Sequence, residues 1–124
     1  MNLLWIAIGG ALGALARYGV GGFVQTRMNA IFPYGTLVVN LSGCLIMGIV
    51  TGLITDQVLV SPMIRYLVPI GFIGAFTTFS TFELETYRAI ESGAWLIGAT
   101  YAAISVFVGF FAIWLGFAIA RRLV

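Results

Sequence analysis

The sequence has no histidine, no lysine and only one cysteine, Cys44, among its 124 residues. A single cysteine excludes a disulfide within the chain, and a zinc site requires several cysteine or histidine ligands. The common general-base and triad mechanisms would have to run without histidine. These absences disfavour hydrolases and metalloenzymes, and we predict that the protein is not an enzyme.

Charged residues are also scarce, because they make up 8% of the chain while hydrophobic residues make up 61%. Soluble domains contain about 25% charged residues, so this composition excludes a disordered tail and a typical soluble enzyme. The net charge of +2 is too small for a nucleic-acid-binding patch. We therefore predict a small integral membrane protein with one domain, residues 1–124.

Four apolar segments are long enough to cross a bilayer core of roughly 30 Å as helices. They are residues 3–23, 35–55, 66–87 and 94–120. Most charged residues lie near their ends, and the loops are short, so the predicted fold class is all-α and transmembrane. The apolar stretch from Met1 to Ala16 ends in Ala14-Leu15-Ala16, which resembles a signal-peptide cleavage site, but no positive residue precedes it. It is interpreted as a retained helix.

Arginines divide evenly between the two predicted sides of the membrane. The side of the termini holds Arg65, Arg121 and Arg122. The other side holds Arg27 and Arg88, and also Arg17 if its side chain reaches outward. An unequal distribution of arginine and lysine between the two sides normally sets the orientation of a membrane protein, and here there is almost none. One hypothesis is that the chain inserts both ways round and pairs antiparallel with a second copy. The alternative is that a weak bias fixes one orientation.

Two polar side chains lie inside apolar spans. Arg17 either extends to the interface or forms a fixed positive charge at the mouth of an anion path. Asn40 shares a helix face with Thr36 and Gly43. Its amide either forms an interhelical hydrogen bond or donates an N–H to a passing anion.

The third span has a polar centre. Its hydroxyl residues and regularly spaced phenylalanines are Thr77, Thr78, Ser80, Thr81, Phe76, Phe79 and Phe82. β-Branched threonines after a glycine favour a local loss of helical geometry. A broken helix at membrane depth is tolerated only inside protein or beside water, where its freed backbone groups can bind ions. The alternative is a kinked helix whose hydroxyls bond its own carbonyls.

Further polar residues flank this centre. Glu85 continues the stripe of Thr77 and Thr81. The alternative is that it marks the water interface near Arg88. In the fourth span, Tyr101 and Ser105 lie one turn apart and add two hydroxyls. Phenylalanine ring edges are electropositive and can face a small anion without a full charge.

Three motifs in combination resemble the Fluc (CrcB) fluoride channel family. They are Gly13-Ala14-Leu15-Ala16-Arg17-Tyr18, Gly35-Thr36-Leu37-Val38-Val39-Asn40 and Gly74-Ala75-Phe76-Thr77-Thr78-Phe79-Ser80-Thr81-Phe82. The resemblance covers the whole chain. The sequence departs from the family pattern at Ala75, where a second glycine is common, and at Gly109, where a hydroxyl is expected.

The resemblance implies an antiparallel, dual-topology homodimer with two pores for passive, selective fluoride export across the bacterial cytoplasmic membrane. The pore residues that it implies are Phe79, Phe82, Asn40, Thr81, Ser105 and Glu85, with Arg17 as the vestibule charge. Backbone carbonyls of Gly74 and Thr77 from both chains would hold a structural Na⁺ at the dimer centre.

Two other functions compete with this one. A small multidrug exporter also has four spans, but it needs a carboxylate deep in the first span, where this chain has only Arg17. A structural membrane subunit would have no use for the polar groups of the third span.

Overall fold

The computed structural model describes residues 1–56, 58 and 61–124, which form four spans long and apolar enough to cross a membrane. The first, second and fourth spans are α1 (Asn2–Met28), α2 (Tyr34–Thr55) and α6 (Trp95–Ala120). The third span, Pro62–Glu91, comprises α3 (Pro62–Arg65), a π-helix (Tyr66–Ile73), α4 (Gly74–Phe76) and α5 (Phe79–Glu91). The predicted all-α architecture with four spans is confirmed.

Two spans are longer than the sequence predicted. α1 continues past Phe23 and ends at Met28. The next residue, Asn29, caps it with a left-handed backbone (φ 43°), and its N–H donates to the Gln25 carbonyl at 3.1 Å. The third span begins at Pro62, where the missing proline N–H is not needed, and continues to Glu91. Helical backbone therefore extends beyond the apolar stretches by which hydropathy defined the spans.

The third span departs from α-helical geometry at two places. Pro69 has no N–H to bond the preceding turn, and the residues around it form the π-helix. Thr77 and Thr78 then adopt extended backbone, with ψ of 156° and 117°, and separate α4 from α5. This geometry is consistent with the predicted break near the middle of the third helix.

Glycines hold the helices close together at two contacts. Gly9 of α1 packs on the π-helix, where an added Cβ would lie 2.9 Å from the Phe72 nitrogen. Gly116 of α6 packs on α2, where an added Cβ would lie 2.9 Å from the Gly48 Cα. Small residues permit such backbone contact, which supplies dispersion attraction in lipid. The two contacts fix α1 against the third span and α2 against α6.

A pair of adjacent glycines tests the α1 contact. We expect Gly9→Ala to destabilise the protein by about 1–3 kcal/mol, because the new methyl group meets backbone atoms that cannot move aside. Gly10→Ala is the matched control, since a Cβ there meets nothing within 4 Å. Thermal unfolding in detergent, followed by tryptophan fluorescence, measures both. Equal melting temperatures for the two variants would contradict the close approach.

Candidate functional site

Asn40 of α2 pairs with the backbone of the break. Its Nδ2 donates to the Thr78 carbonyl at 3.0 Å, and its Oδ1 accepts from the Thr78 N–H at 2.8 Å. The side-chain amide thus replaces both partners that a helix would give Thr78. Thr78 is only 8% exposed, so these backbone groups would otherwise be buried without partners. Asn40 therefore forms the interhelical hydrogen bonds that were one of its two predicted roles, and one N–H of its NH₂ group is left over.

Thr78 also starts α5. Its Oγ1 accepts from the Thr81 N–H at 3.3 Å and donates to the Thr81 Oγ1 at 3.0 Å. The first of these bonds is an N-terminal helix cap, which satisfies a donor that the first turn leaves free. The Thr77 hydroxyl instead bonds the segment before the break, because its Oγ1 donates to the Ile73 carbonyl at 3.1 Å. The hydroxyls on the two sides of the break therefore close the two helix ends separately.

Glu85 joins three helices. Its Oε1 accepts from the Thr36 hydroxyl of α2 at 2.8 Å, and its Oε2 accepts from the Tyr101 hydroxyl of α6 at 2.7 Å. Both partners are neutral donors, so the carboxylate is oriented without an opposite charge on these two oxygens. Of the predicted stripe of Thr77, Thr81 and Glu85, the last two lie on α5, whereas Thr77 lies in the break before it. The partnership of Glu85 with Thr36 was not predicted. No local pattern in the sequence pointed to this partnership, because Thr36 and Glu85 are 49 residues apart in the chain.

The two candidate pore phenylalanines differ in exposure. Phe82 is 6% exposed and lies in the apolar core with Leu37 and Tyr101, whereas Phe79 is 74% exposed. Their ring centroids are 5.8 Å apart. The Tyr101 ring lies edge-on to Phe82, with centroids 5.1 Å apart and planes at 68°. One chain thus fixes Phe82 on several sides and leaves Phe79 free on its outer face.

Two cavities meet at Thr78. The larger, about 600 Å³, opens beside α1 and is lined by Arg17, Thr36, Thr78, Thr81 and Glu85 among others. The smaller, about 350 Å³, lies on the other side of the break. Its wall includes Asn40, Thr77, Thr78, Phe79, Phe82 and Ser105. The break therefore separates a cavity with charged side chains from one whose polar groups are all neutral.

Ser105 has an unusual environment in the smaller cavity. Within the described part of the chain, its Oγ is the one buried side-chain polar atom without a hydrogen-bond partner. A buried hydroxyl without a partner costs free energy. The Ser105 hydroxyl is therefore available to donate a hydrogen bond to a small polar occupant of the cavity. Gly109 lies nearby, and an added Cβ there would sit 3.6 Å from the Cys44 sulfur. Cys44 also lines this cavity and was not among the predicted site residues.

Gly74 lies on the outer surface of the chain rather than in either cavity. An added Cβ there would meet only the Pro69 carbonyl, at 3.6 Å. Because the Thr78 N–H donates to Asn40, it does not bond the Gly74 carbonyl as it would in a continuous helix. The structure thus collects most of the predicted residues around the break and places Gly74 on its exposed side.

Fold and site together define a class: small four-span membrane proteins whose interrupted third helix carries a polar site between two cavities. A family model described as "CrcB-like protein, Camphor Resistance (CrcB)" matches residues 4–117. The chain belongs to this family.

Relatives match along almost their whole length. The fluoride-specific ion channel FluC of Acidobacterium capsulatum is 45% identical over 124 residues, which cover 100% of this chain and 99% of the relative. The protein of the same name from Solibacter usitatus is 44% identical over 98% of this chain and 100% of its own. That from Nitratidesulfovibrio vulgaris is 42% identical over 97% of each.

These relatives identify the family as one of ion channels, which are transport proteins rather than enzymes. The family resemblance and the prediction that the protein is not an enzyme are therefore confirmed. Family membership and four membrane-length helices make the chain a multi-pass membrane protein.

The pairing of Asn40 with Thr78 can be tested by mutation. We expect Asn40→Leu to destabilise the fold by about 2–6 kcal/mol, because it leaves a buried N–H and a buried C=O without partners at about 1–3 kcal/mol each. Ser42→Ala is the matched control, since the Ser42 hydroxyl bonds only the Val39 carbonyl of its own helix. Thermal unfolding measures both variants. Amide hydrogen exchange should accelerate at Thr78 in the Asn40 variant alone, and unchanged protection there would refute the pairing.

Proposed function

We propose that this protein is a passive, fluoride-selective channel. The observation that carries the proposal is the set of neutral donors around the break, including Asn40, Ser105 and the edges of Phe79 and Phe82, between two cavities. The names of the relatives, each a fluoride-specific ion channel, support fluoride as the ion.

Neutral donors suit rapid conduction of fluoride. Fluoride is small and strongly hydrated, so a pore must replace its water with good donors. A formal charge would hold the ion too long, whereas several weak sites let it enter and leave. The spare Asn40 N–H, the Ser105 hydroxyl and the electropositive ring edges provide such sites. Thr81 belongs to the same polar track, and Glu85 borders the mouth cavity.

Arg17 acts in this scheme before the ion reaches the break. It lines the larger cavity together with Thr81 and Glu85. A positive charge at a mouth raises the local anion concentration and the entry rate. Because Arg17 does not line the smaller cavity, the ion is not trapped by it further along the path.

The functional unit in our proposal is an antiparallel homodimer of dual topology with two pores. Phe79 is 74% exposed and Gly74 lies on the surface of the single chain. An interrupted helix at membrane depth must be covered by protein or face water. A second copy would cover this face and complete each path. The even division of arginines supports insertion in both orientations.

A structural Na⁺ at the dimer centre fits the residues of the break. The Thr78 N–H, which would bond the Gly74 carbonyl in a continuous helix, donates to Asn40 instead, and Gly74 is exposed on the outer surface. Na⁺ is a hard cation that takes oxygen ligands, and carbonyls of a broken helix provide them. In the proposed dimer, the carbonyls of Gly74 and Thr77 from both chains would hold the ion. It would supply positive charge between two sets of carbonyl dipoles that otherwise repel.

We place the channel in the bacterial cytoplasmic membrane, where it would export fluoride. Fluoride enters cells as neutral HF and dissociates, and the inside-negative potential drives the anion back out. The named relatives are bacterial, which supports this location. No coupling ion is required.

Liposome efflux tests the proposal. Purified protein in liposomes should release fluoride rapidly when valinomycin and a K⁺ gradient set the voltage, and it should not release chloride. A fluoride-selective electrode and a chloride electrode follow the two ions. Efflux that follows a pH gradient rather than voltage would indicate an exchanger. No fluoride efflux from folded protein would refute the channel.

Phe82 provides the residue-level test of the path. We expect Phe82→Ile to lower fluoride efflux at least about tenfold, because an aliphatic side chain has no electropositive edge for the ion. Phe110→Ile on α6 is the matched control, since Phe110 is 76% exposed and lines neither cavity. Unchanged efflux from the folded Phe82 variant would remove this residue from the path.

Topology is tested separately from conduction. A cysteine tag at either terminus should label from both sides of the membrane in the wild-type chain if insertion is dual. One lysine added beside Arg121 should shift the labelling to a single side. One-sided labelling of the wild type would end the dual-topology proposal without affecting the efflux result.

A further inference from the structure

Gln25, near the C-terminal end of α1, holds the loop that leads into α2. Its Nε2 donates to the Ala30 carbonyl at 2.8 Å and to the Phe32 carbonyl at 3.2 Å. Its Oε1 accepts from the Gly35 N–H at 3.0 Å. One side chain therefore fixes the loop at both ends and satisfies a donor in the first turn of α2, which Pro33 does not cap.

We call these three hydrogen bonds of Gln25 the clamp. Helices α1 and α2 approach closely beside it. Gly35 packs against the backbone of Gly21, and an added Cβ at Gly35 would lie 3.2 Å from the Gln25 Cβ. Gln25 itself is half-buried. Its three hydrogen bonds thus belong to the packed α1–α2 junction, and the loop cannot shift without breaking them.

Phe32 connects the clamped loop to the apolar core. Its ring lies edge-on to Tyr101, with centroids 5.6 Å apart and planes at 78°. Tyr101 is 0% exposed, so Phe32 forms part of the wall that fixes the tyrosine ring. The same ring contacts Phe82, and its hydroxyl donates to Glu85 at 2.7 Å.

We propose that Gln25 is a positioning residue for ion conduction, acting through Phe32 and Tyr101 on Phe82 and Glu85. This inference rests on the proposed function. The hydrogen bonds of Gln25 fix the loop, and the loop holds Phe32 against Tyr101. Tyr101 in turn orients the Glu85 carboxylate at the mouth and the Phe82 ring at the ion path. Hydrogen bonds weaken steeply when they are misaligned. A loosened loop would therefore weaken the bond from Tyr101 to Glu85 and change the orientation of the Phe82 ring.

The test compares two adjacent substitutions. Gln25→Leu removes all three bonds at nearly constant volume. Thr26→Val is the matched control, because the Thr26 hydroxyl is exposed and bonds only the Gly22 carbonyl of its own helix. For equal amounts of folded protein, we expect Gln25→Leu to lower fluoride efflux on the order of tenfold and Thr26→Val to leave it unchanged.

A spectroscopic signature separates positioning from general loss of structure. Protein labelled with 3-fluorotyrosine gives a ¹⁹F NMR line for Tyr101, which Tyr101→Phe assigns. Gln25→Leu should shift or broaden this line and leave that of Tyr66, in the π-helix, unchanged. Phe32→Leu, which keeps the clamp but removes the ring, should reproduce both the NMR change and the lower efflux. It also carries the test if Gln25→Leu does not fold.

Each outcome decides the matter. An unchanged Tyr101 line, or a changed line with wild-type efflux, overturns the proposal. Equal changes at Tyr101 and Tyr66 also overturn it, because they indicate a purely structural role. If the wild-type protein releases no fluoride, the proposed function fails, while the Tyr101 line still reports whether Gln25 fixes the ring.

Discussion

The structure depends on one constraint: extended backbone in the middle of a membrane span must find hydrogen-bond partners within the protein. Thr77 and Thr78 leave helical geometry, and lipid offers nothing to bond their N–H and C=O groups. Asn40 meets this need for Thr78 with a donor and an acceptor from one side chain. These two hydrogen bonds fix where the first half of the third span ends and where α5 begins. They thereby also fix the direction in which α5 carries Phe82 and Glu85.

Asn40 reaches the break only because glycines bring the helices together. Gly43, one turn further along α2, faces Thr77 so closely that an added Cβ would overlap its Cγ2. Gly48 and Gly116 hold α2 against α6 in the same way, and α6 carries Tyr101 to Glu85. In water such contacts would be stabilised by burial of apolar area, whereas in lipid the gain comes from close packing and satisfied polar groups. Packing and site are therefore parts of one arrangement.

Sequence patterns were sufficient for what local chemistry determines. Apolar length predicted four spans, and a glycine followed by two threonines predicted the weak point of the third. The bonds of Glu85 were beyond such patterns, because its partners Thr36 and Tyr101 are 49 and 16 residues away in the chain. The predicted first span ended at residue 23 and left Gln25 outside it, although Gln25 lies within α1 and its side chain bonds the next loop. Polarity alone does not distinguish a side chain that faces water from one that bonds buried backbone.

The break also explains why one chain is an incomplete unit in our proposal. Asn40 satisfies Thr78 from within the chain, whereas Gly74 and the ring of Phe79 are exposed on the outer surface. A backbone polar group left without a partner in hydrocarbon costs several kcal/mol, so in our proposal this exposed face does not remain in contact with lipid. An oxygen-seeking cation and a second copy of the chain would meet this cost together. In our proposal, the interruption that lines the polar path inside the chain therefore also creates the surface that a second copy covers.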